Sequence, residues 1–179
     1  MNNPLESLLK KLENHWEKEI SLKRNEFLIN KGDTNTNLYF VKDGSLRVFI
    51  ENEIEEHTIR FGYKNSIITA LDCFLTEKPT DFYIQALKKC TLKVISKKLF
   101  LQVIKSDKES EVIWLKLLEN FVLQQMEREV DLITYAPQKR FERVFKRSPQ
   151  IFQEIPQKYI ASYLRMTPET LSRILKNLD

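Results

Sequence analysis

The sequence predicts an α+β protein. An N-terminal antiparallel β-roll of the jelly-roll kind is followed by a long helix and then by a C-terminal helical domain with a helix-turn-helix. Three observations predict this order. Short apolar runs separated by turn residues fill residues 21–99, a helical apolar spacing runs through residues 109–135, and two short helical patterns meet at a tight turn within residues 155–178. The predicted domains are residues 1–108, 109–136 and 137–179.

The N-terminal domain contains one predicted helix and a series of predicted strands. The helix covers residues 4–20, because apolar residues recur there at helical spacing. Asp43-Gly44 is a hairpin signal, so the strands on either side of it should pair. A short helix is expected over residues 97–105. The predicted strands are residues 27–29, 38–41, 46–50, 57–61, 82–87 and 92–96, with a turn at residues 63–66.

The long helix carries two apolar stripes. A four-three spacing, typical of a coiled-coil seam, predicts a homodimer interface along the first stripe. The second stripe lies on another face and can pack on the β domain. The alternative is a helix buried entirely within one domain. Ala136-Pro137 ends the helix. The seam residues are Trp114, Leu118, Phe121, Gln125, Arg128, Leu132 and Tyr135, and the second stripe is Leu115, Val122, Met126, Val130 and Ile133.

The C-terminal domain begins with a basic amphipathic helix over residues 138–147, with Phe141, Val144 and Phe145 facing inward, and a loop follows at residues 148–150. Two short helices come next. Pro156 suits the first helical position of one of them, because it has no N–H to lose. The apolar face of the pair consists of Ile160, Ala161, Leu164, Met166, Leu171, Ile174, Leu175 and Leu178.

The turn between these two helices has a clear sequence signature. Thr167 is an N-cap, and Pro168 takes the next position. Arg165 stands where the turn usually has glycine, and a left-handed backbone there costs about 1 kcal/mol. The other face of the second helix carries Glu169 and Arg173, which can reach base edges in a major groove. The alternative is an ordinary helical hairpin with a solvated polar face.

Charge supports the nucleic-acid interpretation. Residues 137–179 contain nine Lys or Arg and four Asp or Glu, a net charge of about +5, which leaves about −1 for residues 1–136. A polyanion-binding module needs this asymmetry.

Other function classes find little support in the sequence. The three glycines form no phosphate-binding loop, and Cys73 and Cys90 form no metal motif. No nucleophile elbow or ligand cluster suggests an enzyme, so we expect neither an enzyme nor a metal or other cofactor. Free thiols without a secretory signal predict a cytoplasmic protein, and no apolar run is long enough to span a membrane.

The predicted order of elements, with LYFVKDGSLRVF at residues 38–49 and TPETLSRIL at residues 167–175, resembles the Crp/Fnr family of bacterial transcription regulators. The resemblance implies a cyclic-nucleotide-binding-domain fold for the β-roll, a homodimer, an inverted-repeat operator in double-stranded DNA, and RNA polymerase as a further partner. It also implies that Glu169 and Arg173 read cytosine and guanine edges, whereas Pro168 stands where the family often has arginine. The expected DNA-binding residues are Lys158, Thr167, Pro168, Glu169, Thr170, Ser172, Arg173 and Lys176.

The chain departs from the family in its effector pocket. Ala70 stands where the family's ribose-binding carboxylate belongs, and Thr80 stands where the phosphate-binding arginine belongs. Asp81 adds a negative charge, so an anionic phosphate would meet no cation and usual cyclic AMP binding is not expected. The pocket is then empty, filled by Phe74, Phe82 and Tyr83, or adapted to another small molecule. A lone His57 in a strand is a weak haem signal. Candidate pocket residues are Ala70, Leu71, Thr80, Asp81, Tyr83 and Gln125.

A second departure concerns the end of the sequence. Family members continue past the recognition helix into a β-hairpin wing, and this sequence ends at Asp179. Weaker DNA binding is therefore expected, because phosphate contacts supply much of the affinity. The sequence predicts a homodimeric, sequence-specific DNA-binding regulator. The alternative function is a small-molecule-binding or dimerising module whose weakened helix-turn-helix acts through protein partners.

Overall fold

A computed structural model describes residues 3–177. Within this range the chain forms eight strands and eight helices. The strands are β1 (Lys18–Leu22), β2 (Phe27–Ile29), β3 (Leu38–Asp43), β4 (Ser45–Glu51), β5 (Glu56–Tyr63), β6 (Ile67–Ile68), β7 (Tyr83–Ala86) and β8 (Cys90–Ile95). The helices are α1 (Pro4–Leu12), α2 (Leu71–Thr76), α3 (Lys97–Ile104), α4 (Lys108–Ile133), α5 (Pro137–Arg147), α6 (Gln150–Glu154), α7 (Gln157–Tyr163) and α8 (Pro168–Lys176).

The strands form two four-stranded antiparallel sheets with the orders β1-β8-β3-β6 and β2-β7-β4-β5. Alternate residues of each strand point between the sheets, so one face of every strand contributes to a shared core. Ile29, Val41, Leu46, Ile84 and Leu92 are all fully buried there. The predicted α+β architecture, with a β-roll ahead of a long helix and further helices, is confirmed.

The predicted hairpin at Asp43-Gly44 is wrong. The strand before it, β3, pairs with β6 and β8, whereas the strand after it, β4, pairs with β5 and β7. The chain therefore crosses from one sheet to the other at Gly44. This residue has a φ of +89°, and a Cβ atom there would lie 2.3 Å from the Lys89 carbonyl oxygen. Glycine is needed for this close crossing between the sheets, and the same dipeptide would suit a hairpin.

The predicted N-terminal helix is too long. It ends at Leu12, and residues 18–22 instead form β1, which pairs with β8 along its whole length. Trp16 packs on Phe40 at 5.9 Å between ring centroids, and Ile20 contacts the core of the roll. Trp16 and Ile20 continue the helical apolar spacing by coincidence. Pairing of residues 18–22 with β8 makes this segment a strand. Three short elements were also not predicted, namely β6, α2 and α6.

The helices after the roll begin close to their predicted positions. Helix α4 is N-capped by Asp107, whose carboxylate accepts a 2.9 Å hydrogen bond from the Ser110 N–H. Hydrogen bonds from the Ser110 N–H and hydroxyl lower the pKa of Asp107 to about 2, so this cap stays ionised.

The predicted dimer seam of α4 is partly engaged by the chain itself. Trp114 of the predicted dimer seam packs on Phe74 and Phe100 of the same chain, and Arg128 is only 7% exposed. Leu118 and Phe121 are half-buried, whereas Gln125 and Leu132 are exposed. The exposed apolar face is formed by the second stripe, Leu115, Val122, Met126, Val130 and Ile133.

Both stripes have helical spacing, so spacing cannot tell which of them faces the chain's own β-roll. Trp114 and Arg128 of the first stripe are engaged by the chain itself. The second stripe is exposed to solvent or to a partner.

Candidate nucleic-acid interface

The helix-turn-helix is built on its own hydrophobic core, formed by α5 to α8 together with a few residues of the roll. Ala161 is fully buried at the crossing of α7 and α8, where a small side chain allows the helices to approach. Phe145, predicted to face inward, is 44% exposed, but its ring stacks on Phe141 and meets the Phe152 ring edge-on. Leu178 lies outside the described residues. The buried residues of this core include Phe141, Val144, Ile160, Ala161, Leu164, Leu171 and Ile174.

The turn takes the predicted conformation. Arg165 has a φ of +53°, in the left-handed region, and the Met166 N–H donates to the Ala161 carbonyl at 3.1 Å. Arg140 of α5 donates to the Arg165 carbonyl at 2.9 Å, which holds the strained residue from one side. Sequence reasoning missed this role and counted Arg140 only as part of a basic helix. Pro156 is the N-cap of α7 and not its predicted first residue, because the helix begins one position later at Gln157.

The start of α8 is capped as predicted. Thr167 accepts a hydrogen bond from the Thr170 N–H on its hydroxyl oxygen at 3.2 Å, and Pro168 takes the first helical position. The cap satisfies one of the free N–H groups of the first turn. Helix α8 therefore begins at a fixed residue, and the phase of its two faces is fixed with it.

The face of α8 opposite the core is polar and open. Glu169, Arg173 and Lys176 are exposed, and Thr170 and Ser172 are half-buried at the edge of this face. The Arg173 guanidinium lies 3.5 Å from the Thr170 hydroxyl, within its own helix. Among the other predicted contact residues, Lys158, Thr167 and Pro168 are exposed as well.

Glu169 is held in its charged form. Its own backbone N–H, followed by the Thr167 hydroxyl and the nearby Arg173, keeps the pKa of this carboxyl below its ordinary value. An ionised carboxylate can only accept hydrogen bonds. An exposed acceptor next to an exposed guanidinium donor is the pair that can distinguish cytosine from guanine.

The other side of the motif is docked on the β-roll. Strand β5 lies at the edge of its sheet, and α7 covers that edge. The Thr58 N–H donates to the Ser162 hydroxyl oxygen at 3.2 Å, and the same hydroxyl donates to the Glu56 carbonyl at 3.4 Å. A single serine thus satisfies two backbone groups that the sheet leaves unpaired.

Two buried arginines strengthen this docking. The Arg128 guanidinium lies 3.8 Å from the centre of the Tyr163 ring and donates to the Tyr163 carbonyl at 2.6 Å. Arg47 lies between the rings of Phe49, at 3.9 Å, and Tyr159, at 4.6 Å. Sequence reasoning assigned Arg128 to a dimer seam and Arg47 to no role. The sequence does not reveal these contacts, because the partners Tyr159 and Tyr163 lie far away in the chain.

The long helix is also tied to the C-terminal domain. Asp131 of α4 is fully buried and accepts hydrogen bonds from Arg143, at 2.9 Å, and from Arg147 of α5. Arg147 also pairs with Glu127 at 2.7 Å. These pairs hold the first helix of the C-terminal domain against α4 across the break at Thr134, where α4 ends.

The predicted effector residues do not form a single pocket. Ala70 and Thr80 are buried beside α2, where the Thr80 hydroxyl donates to Asp72 at 2.8 Å and the Asp81 N–H donates to the same carboxylate at 3.0 Å. Leu71 packs with the core under α3 and α4. Asp72 is thus the centre of this group, and sequence reasoning did not single it out.

The two remaining effector candidates lie elsewhere. Tyr83 stacks on Phe49 at 5.0 Å on the outer face of its sheet, and Gln125 is exposed on α4. Two surface depressions, of about 390 Å³ and 230 Å³, are lined by none of the six candidates. The larger one lies between Thr34, Glu77 and Lys97.

Two further findings concern the part of the chain that the structure describes. No group of three or more His, Cys, Asp or Glu side chains within residues 3–177 is arranged to hold a metal ion. Among the helices of the same range, none combines the length and the apolar character needed to cross a membrane.

Comparisons with known proteins agree with this architecture. Residues 19–107 match the family model of the cyclic nucleotide-binding domain. FixK2 from Bradyrhizobium japonicum has a similar structure, with a TM-score of 0.74 and 14% identity over 90% of this chain and 83% of that chain. A CooA mutant from Carboxydothermus hydrogenoformans gives a TM-score of 0.70 and 17% identity over 96% and 78% of the two chains.

A third similar structure is CLP from Xanthomonas campestris, described as a c-di-GMP responsive global regulator linked to virulence gene expression. Its TM-score is 0.65, with 14% identity over 97% of this chain and 91% of that chain. No curated protein sequence is significantly similar to this chain. The similarity to the cyclic nucleotide-binding domain thus covers residues 19–107, which include the two sheets except Lys18 and extend to the start of α4. The chain as a whole shares the fold of these three structures.

Proposed function

We propose that this protein is a transcription regulator that binds double-stranded DNA in a sequence-specific way and has no enzymatic role. The observation that carries the proposal is the open face of α8. Glu169 and Arg173 are exposed side by side on a helix whose opposite face is buried and whose start is capped. A rigid helix with a free donor and a free acceptor is suited to the major groove.

Each side chain on this face has a role in the proposal. Glu169 accepts from the N4 amino group of cytosine, and Arg173 donates two hydrogen bonds to the O6 and N7 atoms of guanine. Other polar residues around α8 contact phosphates and fix the register of the helix. These phosphate contacts come from Lys158, Thr167, Thr170, Ser172 and Lys176, whereas Pro168 has no N–H to donate.

We propose further that the protein acts as a homodimer through α4. Its outer face exposes Leu115, Val122, Met126 and Ile133 in one stripe. A continuous apolar stripe of this kind marks an interaction surface, and a second copy presents the same stripe. Two copies paired along α4 place two recognition helices in successive major grooves, about 34 Å apart.

The group around Asp72 supports a regulator that does not bind cyclic AMP in the usual way. The Thr80 hydroxyl and the Asp81 N–H, which could have served an incoming anion, already donate to the Asp72 carboxylate. A phosphate at this place would meet two carboxylates, those of Asp72 and Asp81. Like charges at such short range disfavour binding.

The salt dependence of binding to bulk DNA tests the proposal. The expected result is retention on a DNA column at low salt and a steep loss of affinity with rising salt. Lys176→Gln should reduce the slope by about one counterion. Lys108→Gln is the matched control, since Lys108 is exposed at the start of α4, the end of that helix that is far from the helix-turn-helix. A folded protein that shows no retention at low salt would contradict the proposal and favour a dimerising module that acts through protein partners.

A further inference from the structure

A histidine of the β-roll touches the turn of the helix-turn-helix. His57 lies on the edge strand β5, and its side chain is 14% exposed. Its Nδ1 atom lies 2.5 Å from the NH1 group of Arg165, the left-handed residue of the turn. A guanidinium has no acceptor, so Arg165 must donate and Nδ1 must carry a free lone pair. This contact therefore requires a neutral imidazole.

The other side of the ring also faces a donor. The Nε2 atom lies 2.7 Å from the side-chain amide nitrogen of Asn52. The Asn52 amide oxygen is already used, because it accepts from the N–H groups of Ile54 and Glu55 at 2.9 Å each. A neutral ring can accept one of these two donors, and a protonated ring can accept neither.

Nearby charges do not reverse this preference. The Glu55 carboxylate is 3.6 Å from Nε2, but its side chain is 67% exposed and the interaction is screened by solvent. The carboxylate of Glu56 is engaged by Arg47. Across the sheet, His57 is paired with the uncharged Ile50. The nearest charge is the Arg165 guanidinium, which repels a protonated ring.

We propose that the His57–Arg165 contact is a pH-sensitive latch that fastens the turn of the helix-turn-helix to the β-roll. The latch is closed when His57 is neutral and opens when His57 is protonated. Because an imidazole gains a proton as the pH falls, lowering the pH opens the latch.

The latch acts at a position that controls α8. Arg140 holds the Arg165 carbonyl from α5, and His57 holds the Arg165 side chain from β5. Arg165 lies two residues before Thr167, the N-cap of α8. The turn therefore sets the direction in which α8 continues from α7. Release on the β5 side frees the turn and also weakens the neighbouring contact between Thr58 and Ser162. The consequence for DNA reading rests on the proposed function, whereas the latch itself does not.

Hydrogen exchange of the Thr58 amide tests the latch without DNA. This N–H donates across the docked surface to Ser162, so its protection, corrected for the intrinsic pH dependence of exchange, reports docking. In the wild type we expect protection to fall by about threefold to tenfold between pH 8 and pH 5.5, the range that one net hydrogen bond implies. His57→Gln keeps an acceptor that does not titrate, and should remove the pH dependence.

Two further variants complete the test. His15→Gln is the matched control, because His15 is the second of only two histidines and its Nδ1 faces the Lys11 carbonyl, far from the turn. It should behave as the wild type does. Arg165→Gly suits the left-handed turn and removes the guanidinium, so it should also abolish the pH dependence. Protection that is unchanged between the two pH values in the wild type, or that falls equally in His57→Gln, would overturn the latch. Failure to bind DNA in a separate assay would count against the proposed function and leave the latch standing.

Discussion

The two helices of the helix-turn-helix use their polar atoms in opposite ways. On α7, the Ser162 hydroxyl and the Tyr163 carbonyl are engaged by the β-roll and α4. On α8, the Glu169 and Arg173 side chains are exposed, and the hydrogen bonds that they make stay within the helix and its cap. The two neighbouring amphipathic helices thus differ in what their polar faces meet. The polar atoms of α7 meet the β-roll and α4, and those of α8 meet solvent. The difference separates residues that stabilise the docked domain from residues available to a ligand.

The comparison predicts that substitutions on α7 change stability and that substitutions on α8 change DNA binding. The largest effect is expected for Tyr163→Ala. Its ring packs on Phe61 at 5.3 Å and lies under the Arg128 guanidinium. Removing it creates a cavity and uncovers a buried charge, so the free energy of unfolding should fall by about 3–5 kcal/mol. Urea denaturation measures this, and Tyr135→Ala is the control, since Tyr135 is 96% exposed.

The next effect concerns the exposed face of α4. Met126→Glu places a charge in the apolar stripe, and each side chain buried there contributes about 1.5–3 kcal/mol. The dimer dissociation constant should therefore rise at least about tenfold, with the monomer fold unchanged. Sedimentation equilibrium measures the change, with Lys116→Glu as a control on the exposed polar surface of the same helix. A dimer that Met126→Glu leaves intact would place the interface elsewhere.

A smaller and more specific effect is expected on α8. Arg173→Ala should cost about 1–3 kcal/mol in binding to the preferred sequence, relax the preference at one base pair and leave unfolding unchanged. Competition binding with operators that differ at single positions measures this loss. Equal affinity of wild type and variant for the preferred site would remove Arg173 from base reading.

The smallest effect is expected at the cap that joins the two helices. Thr167→Ala removes the acceptor for the Thr170 N–H, and loss of such a cap costs about 1 kcal/mol of stability. Thermal unfolding measures this loss. Thr167→Ser keeps the hydroxyl acceptor, so it should be much less destabilised than Thr167→Ala. A destabilisation equal to that of Tyr163→Ala would show that the cap supports more than the first turn of α8.

Local chemistry explains which features could be predicted from the sequence. The cap at Thr167, the left-handed Arg165 and the apolar faces of α8 depend on residues a few positions apart, and all three are confirmed. Most strands of the roll were predicted for the same reason, because alternation and turn residues are local signals.

The features that could not be predicted depend on distant partners. The edge that α7 covers lies more than 100 residues earlier in the chain, as the contact between Thr58 and Ser162 shows. The two stripes of α4 are equivalent in spacing, and only the packed β-roll distinguishes them. At Gly44 the same dipeptide suits either a hairpin or a crossing between sheets, and the pairing of the other strands decides between these.

The reading of DNA by α8 is tested most directly by selecting bound sequences from a random DNA pool with the purified protein and no added ligand. The expected result is an inverted repeat whose half-sites lie about one helical turn apart, with G·C pairs at the positions that Glu169 and Arg173 contact. Selection with Arg173→Ala should lose one of those positions and keep the rest. No enrichment by a folded, dimeric wild-type protein would contradict base reading by this helix.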